Sequence, residues 1–346
     1  MGSADFYQCT RHSRKVFVAD LGFLGDTVHL FPALREIRDA YPQAELHVMS
    51  STHVMDLLRL LPWIDRAWGY PRFPKSPPWH KTLPIIRALR REKFDTVINL
   101  NGSNRSSFLT RSTGARHRLG RIPQTPGGAL WPWCFTHTVS VPYNSVESFR
   151  QRWLCLQQSG FPVSVPRFDV TIPADVRQSV DKLLDHQGGF IHISPFTTQN
   201  HREPHPQDLI DFLNTLAKET PAEKVVISCA PNQRETSKLA EILSGLQQPP
   251  WKIFQGTLTT IQTCALIDRA RVHLGGDSGA VHIATMLGIP NLAWFHEGSR
   301  QSNWLPRAAN DQILFVPRDD SGFLRVNPAR LIEGVLANRQ ATLNST

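Results

Sequence analysis

The segment Leu274-Gly275-Gly276-Asp277-Ser278-Gly279-Ala280-Val281-His282-Ile283-Ala284 constrains this chain more than any other. Apolar residues precede it, and Met286-Leu287-Gly288-Ile289-Pro290 follows. The pattern predicts a strand, a tight glycine turn, a helix, and a strand opening after Gly288 and Pro290. Such a turn leaves backbone N–H groups unpaired at a helix N-terminus. Ser278 and Gly279 can aim them at a phosphate, with the helix dipole assisting. Asp277 and His282 add a carboxylate and an imidazole at the same place. A nucleotide diphosphate suits this turn.

The rest of the chain alternates in the same way. Strands are expected at Val16–Ala19, Leu46–Met49 and Thr96–Leu100, with helices at Thr27–Ala40, His53–Leu61 and Leu83–Arg91. The second half repeats this with strands at Gly189–Ser194, Lys224–Ser228 and Val272–Leu274 and helices at Asp208–Glu219, Arg234–Ser244 and Leu258–Arg269. Strands alternating with helices mean an α/β fold built on parallel sheets. Pro71–Trp79 and Gly120–Trp133 read as loops, and Phe161–Pro173 as a linker. The expected layout is a flexible arm over residues 1–14, one α/β domain over 15–165, a second over 166–326, and a helix and tail over 327–346. Two such domains place ligands in a cleft outside the carboxyl ends of their strands.

Composition narrows the partners. The 346 residues are 40% hydrophobic and 19% charged, as in a globular protein. No apolar run reaches the roughly 18–20 residues of a membrane helix, and residues 1–15 lack the apolar core of a signal peptide. With 38 basic against 29 acidic side chains the net charge is +9, which favours an anionic partner. Nucleic acid, an anionic membrane and a phosphorylated or carboxylated sugar all qualify, although no nucleic-acid motif accompanies the basic clusters Arg87–Arg91, Arg111–Arg121 and Arg150-Gln-Arg152. Those clusters read equally well as solvated faces. The five scattered cysteines form no CxxC pair and suggest neither zinc nor disulfides, consistent with a reducing cytoplasm.

Further loops carry candidate chemistry. In Asp20-Leu-Gly22-Phe-Leu-Gly25-Asp26-Thr27, Gly22 and Gly25 allow close approach of a substrate, but no GxGxxG is present, so a nicotinamide oxidoreductase is disfavoured. Asp26 is either a helix cap or a general base for a sugar hydroxyl. After the strand ending at Ser194, Thr197, Thr198 and Arg202 can hold a diphosphate or simply cap a polar loop. Gln233 or Glu235 can meet ribose hydroxyls, and Leu258 can pack on a base, with Thr257 as an ordinary helix cap. Four such loops ending four strands of one domain make a nucleotide site.

Gly22-Phe-Leu-Gly-Asp-Thr-Val-His-Leu-Phe-Pro-Ala-Leu34 resembles the N-terminal signature of the lipopolysaccharide heptosyltransferases, glycosyltransferase family nine. Gly276-Asp-Ser-Gly-Ala-Val-His-Ile-Ala284, with Gly288-Ile-Pro290 after it, resembles their C-terminal signature. The likeness runs from Lys15 to about Leu336 and implies a GT-B fold, two Rossmann-like domains facing across a cleft. It implies that the first binds acceptor and the second an ADP-sugar, and that the last helix returns to the first domain. The implied activity is inverting transfer of heptose from ADP-L-glycero-D-manno-heptose, without metal or other cofactor, to a lipopolysaccharide inner-core acceptor, Kdo-lipid A or a core heptose. The implied location is cytoplasmic, peripheral on the cytoplasmic face of the inner membrane.

Residue by residue, the resemblance implies that Asp26 is catalytic and that Thr197, Thr198, Ser278 and Gly279 contact the diphosphate. Asp277 would meet the donor sugar, Gln233 the ribose and Leu258 the adenine. Arg202 and His282 complete the donor set, and Gly22, Gly25 and Arg105 the acceptor set. The chain departs from the family pattern at Asp20, where a basic residue is usual six positions before the aspartate, and at Arg202-Glu-Pro-His-Pro206, where a lysine precedes Trp-Pro. It departs also at Gln233, in place of an acid, and at Trp294-Phe-His-Glu-Gly298. A transferase for another nucleotide sugar and a nucleotide-sugar binder without turnover stay open.

Overall fold

The computed structural model describes residues 5–72, 77–124, 128, 130–143, 146–300, 302–306, 308 and 310–343. Parts of the two expected loops, 73–76 and 125–127 with 129, lie outside the described residues, as do the first four residues of the expected arm and the last three of the tail. The chain divides into two compact units, Met1–Thr171 and Ile172–Thr346.

The first unit runs α1 (Phe6–Thr10), β1 (Lys15–Ala19), α2 (Leu24–Ala40), β2 (Glu45–Ser51), β3 (Arg66–Tyr70), α3 (Trp79–Arg91), β4 (Thr96–Asn99), α4 (Asn104–Ser112), β5 (His117–Arg121), β6 (His137–Val139) and α5 (Ser148–Gln158). Its strands are all parallel in the order β3-β2-β1-β4-β5-β6. The second unit runs α6 (Ala174–Leu183), β7 (Phe190–Ser194), α7 (Pro206–Glu219), β8 (Val225–Cys229), α8 (Gln233–Ser244), β9 (Lys252–Gln255), α9 (Thr260–Asp268), β10 (Ala270–Gly275), α10 (Gly279–Leu287), β11 (Asn291–His296), β12 (Gln312–Val316) and α11 (Pro328–Leu343). Its order, β12-β11-β10-β7-β8-β9, is the same doubly wound arrangement, again all parallel. In such sheets the order reverses once, and the loops flanking that point form the ligand crevice. Here those loops follow β1 and β4 in the first unit, and β7 and β10 in the second.

Several elements were not legible as such. β3, β6, β9 and β12 are the four edge strands, and edge strands need no continuous apolar run. β5, His-Arg-Leu-Gly-Arg, runs into the expected loop Gly120–Trp133 with its last two residues. The Phe135 ring demands that glycine, since a Cβ there would lie 2.5 Å from it. The segment 52–60 is a 3₁₀ helix rather than an α-helix. The expected linker belongs to the first unit: Phe161 is buried with Tyr7 and Tyr41, the Ser164 N–H donates to Glu36, and the boundary falls after Thr171. Of the five cysteines, Cys134, Cys155 and Cys264 are buried, Cys229 is half-buried and Cys9 is exposed.

Both chain ends are more integrated than expected. The region read as a flexible arm contains α1, whose Phe6 is fully buried against Phe161 and the edge of His137. The C-terminal helix α11, read as returning to the first domain, packs on α7, β10 and β11 of its own unit and buries Leu331, Ile332 and Val335 in that core. Phe6→Ala is expected to destabilise the first unit by about 3–5 kcal/mol, measured by urea unfolding. A loss under about 1 kcal/mol would return residues 1–14 to the status of an arm.

Candidate active site

In the first unit the site is built at the carboxyl end of β1. The chain leaves the strand at Asp20, which is fully buried. Its Oδ1 accepts from the Gly22 N–H at 2.8 Å and from Asn101 Nδ2 at 3.2 Å. Its Oδ2 accepts from Arg152 Nε at 3.0 Å. Burial pushes the Asp20 carboxyl up, and Arg152 opposes that shift. Arg152, on α5, has its guanidinium raised by the two carboxylates against the cost of burial. Its Nη2 donates to Asp26 Oδ1 at 3.2 Å.

Asp26 is not the N-cap itself, yet it serves the helix start. Phe23 is the N-cap of α2, and Asp26 stands three residues in, with its Oδ2 accepting from the Phe23 N–H at 3.0 Å. The carboxylate thus closes the helix terminus and gains from the dipole. It also stays 27% exposed and lines a pocket of about 300 Å³ with Gly22, Phe23, Arg72, Asn101 and Tyr143. Gly22 is required for a reason other than substrate approach: a Cβ there would lie 2.2 Å from the Asp26 Cβ. Gly25 lies inside α2, not in the loop.

Arg105, expected to bind acceptor, donates to Tyr70 Oη at 2.8 Å and to the Pro77 carbonyl at 2.9 Å. The arginine that lines the pocket is Arg72, whose guanidinium stands 5.6 Å from the Phe23 ring centre. Arg152 and Arg121 belong to basic clusters that suit either an anionic partner or a solvated face, and the structure buries both. Arg121 is buried, donates to Gln151 and the Val141 carbonyl, and lies 3.8 Å from the Tyr143 ring centre. The signal for Arg152 was present: an acid at position 20, inside an apolar strand end, needs a buried cation.

In the second unit the loops after β10, β7, β8 and β9 lie side by side along the carboxyl edge of the sheet. After β10, Gly275 and Gly276 must lack side chains, since a Cβ on Gly276 would lie 2.6 Å from Trp294 Nε1 and 3.1 Å from the Arg202 carbonyl. Ser278 caps α10 by position, yet its Oγ is buried with no partner among the described residues. A buried hydroxyl without a partner at a helix N-terminus fits a ligand oxygen. Arg202 Nη1 lies 2.7 Å from Asp277 Oδ2. Burial pushes the Asp277 carboxyl up, and Arg202 and His201 oppose this.

Thr197 is buried and binds its own loop, through Oγ1 to the Gln199 carbonyl and through its N–H to Glu203. Glu203 is buried and also meets Arg234 and Lys238 at 2.6 and 2.5 Å, which ties the loop after β7 to α8. Thr198 instead lines an open cavity of about 410 Å³ with Asn200, His201, Arg234 and Phe323. Glu235 is used by the loop, accepting from the Ala230 N–H and Asn232 Nδ2, and the exposed Gln233 reaches Ser237. Gly256, at φ +68°, approaches Pro231 so closely that a Cβ would lie 2.4 Å from its Cα. Leu258 is half-buried, and the cap of α9 is Thr259, with Gln262 closing a capping box, rather than Thr257. His282 is buried, its ring 5.6 Å from that of Trp304.

One group among the described residues has the spacing of metal ligands, Glu45, His47 and Glu92. The Lys15 ammonium lies 2.9 Å from both glutamates, and Arg66 lies 2.6 Å from Glu92, so two cations already balance the two carboxylates.

A model of glycosyltransferase family 9 (heptosyltransferase) matches residues 82–322. The chain belongs to that family. It is a glycosyltransferase with the GT-B fold. Lipopolysaccharide heptosyltransferase 3 of Escherichia coli is 26% identical over 282 residues, 79% of this chain and 81% of the relative. The crystal structure of a family 9 transferase from Veillonella parvula shares the fold at a TM-score of 0.81 and 15% identity, covering 94% of this chain and 97% of that one. E. coli heptosyltransferase WaaC with ADP-2-deoxy-2-fluoro heptose does so at 0.72 and 15%, covering 94% and 99%.

Gly22→Ala is expected to displace Asp26 and, if that carboxylate takes part in the reaction, to lower turnover about a hundredfold, the cost of a shift near 1 Å in an active site. Steady-state kinetics beside a melting curve checks this. Wild-type turnover would mean that the loop yields without moving the carboxylate.

Proposed function

We propose that this glycosyltransferase moves a heptose from ADP-L-glycero-D-manno-heptose to a sugar hydroxyl of the lipopolysaccharide inner core, a Kdo residue on lipid A or a core heptose. The observation that carries the reading is Asp26: one carboxylate, held at both oxygens, open to a pocket, on the signature segment of a heptosyltransferase family. The acceptor oxygen attacks the anomeric carbon of the donor as its proton passes to Asp26. The bond from that carbon to the diphosphate oxygen breaks, and ADP leaves with the electron pair. A single base and a direct displacement invert the anomeric centre.

The leaving diphosphate needs positive charge rather than a metal. The α10 N-terminus at Gly279 and Arg202 would supply it, with the Ser278 and Thr198 hydroxyls as hydrogen-bond donors. Asp277 holds Arg202 ready and can meet the sugar, while Thr197 shapes the loop. Gln233, Leu258 and His282 would serve the nucleoside end. Among the acceptor residues, Arg72, which donates to the Leu21 carbonyl and lines the pocket with Asp26, suits the carboxylates and phosphates of an inner core; Arg105 binds Tyr70 and Pro77 instead. Exposed Arg87, Arg90 and Arg91 near exposed Leu83 on α3 suit peripheral binding to the anionic cytoplasmic face of the inner membrane. Among the described residues no helix is long and apolar enough to cross a membrane.

The test is incubation with ADP-heptose and a panel of truncated lipopolysaccharides, without added metal, following acceptor mass. Gain of one heptose is expected. No gain with ADP-heptose but transfer from another nucleotide sugar would move the reading to that donor, and tight binding without transfer from any donor would make the chain a binder.

Two variants divide the roles. Asp26→Asn should retain donor binding and lose at least about a hundredfold in kcat; near-normal turnover would remove Asp26 as the base. Ser278→Phe should weaken ADP binding at least about tenfold by calorimetry, whereas unchanged affinity would put the diphosphate elsewhere.

A further inference from the structure

We propose that Arg152 is the positioning residue of this reaction: anchored by the buried Asp20, its guanidinium holds the Asp26 carboxylate in the orientation needed to take the acceptor's proton. This rests on the reading of Asp26 as general base.

The geometry is a three-member chain. Arg152 Nε meets Asp20 and its Nη2 meets Asp26, so one rigid guanidinium plane fixes the separation of two carboxylates, which a lysine ammonium does not do. Asp20 has no freedom of its own, because Gly22 and Asn101 occupy its other oxygen. Asp26 is fixed at Oδ2 by the Phe23 N–H and at Oδ1 by Arg152. Both its oxygens are therefore oriented, and its exposed edge faces the pocket.

The charges follow a simple sum. Two carboxylates and one guanidinium carry one net negative charge. Asp20 and Arg152 cancel, so the net charge resides on Asp26, the member that reaches solvent. When Asp26 takes a proton, the pair behind it remains neutral, so the three-member chain itself leaves no lone buried charge in either state, while the buried Arg121 nearby keeps its own charge throughout. Without Arg152, two carboxylates would face each other in a buried site, and like charges resist joint ionisation. The other charged or titratable groups nearby are Arg121 on β5, with Tyr143 and Cys155 beside it, Arg72 over Phe23, and His29 on α2, stacked on Phe149 of α5.

The experiment measures kcat and KM against pH for single variants, with melting temperature as the check on folding. Asp26→Asn is the control on the underlying reading: if it stays active, the base is elsewhere and the general-base reading falls on its own. Given an inactive Asp26→Asn, Asp20→Asn should move the acid limb of the kcat profile to lower pH, since Arg152 then serves one carboxylate. Arg152→Gln should move that limb to higher pH and lower kcat at least about tenfold, with KM changed less than about threefold. Arg152→Lys should restore the position of the limb but not kcat. A merely structural arginine predicts no such opposition. Folded variants whose limbs stay put, or move in one direction together, overturn the proposal. If the single variants fail to fold, Asp20→Asn with Arg152→Met removes the neutral pair as a unit. It should fold and still lose at least about tenfold in kcat, and wild-type kcat in it overturns the proposal.

Discussion

Taking a guanidinium out of water costs several kcal/mol, and only close, well-oriented carboxylates offset it. Arg152 meets that condition at Asp20 and Asp26, and much of the first unit is arranged around it. α5 must lie against α2 to deliver the side chain, and these two helices do pack on each other. The loop after β1 must turn tightly enough for the Gly22 N–H to reach Asp20. That turn leaves no room for a Cβ beside Asp26. The loop after β4 must bring Asn101 to the same carboxylate. Removing one member of a buried pair costs on the order of 3–5 kcal/mol, so stability and the geometry of the candidate base are set by the same contacts.

The two units share a strand order and use its switch point differently. In the first, the polar groups at that point satisfy one another, and the one exposed carboxylate is oriented by its neighbours. In the second, Arg202 and Asp277 pair across the loops after β7 and β10, while Ser278 leaves a buried hydroxyl without a partner at the start of α10. A satisfied anionic network suits proton acceptance. An unsatisfied helix terminus beside an arginine suits an anion. A transferase needs both, and the chain keeps them in separate units.

Much of this was legible in the sequence because two periodicities carry it. β1, β2, β4, β7, β8 and β10 are interior strands with apolar runs, and they give the fold class. The edge strands β3, β6, β9 and β12 do not show themselves, because one side of each meets no neighbouring strand and their composition is free to be mixed. The glycine turns were legible as turns, but their reasons were not. Gly22 yields to Asp26, and Gly276 yields to Trp294 and the Arg202 carbonyl, contacts that depend on residues distant in the chain. Glu203, invisible as a site residue, proves to be the buried joint between the loop after β7 and α8.

The departure at Asp20 is the most instructive case. Taken alone it removes a positive charge from beside the candidate base. In the structure, that charge returns from α5, 132 residues away, and lands between both carboxylates. The pattern Arg150-Gln-Arg152 held the clue. Residues two apart on a helix point to nearly opposite sides, so a helix packed on one face cannot solvate both. Arg150 accordingly has a side chain 48% exposed, and Arg152 one 7% exposed. An acid where the signature expects a basic residue, and a cation on the inward side of a later helix, are two ends of one electrostatic requirement: the Asp26 carboxylate keeps a positive neighbour, and the fold leaves open which element supplies it.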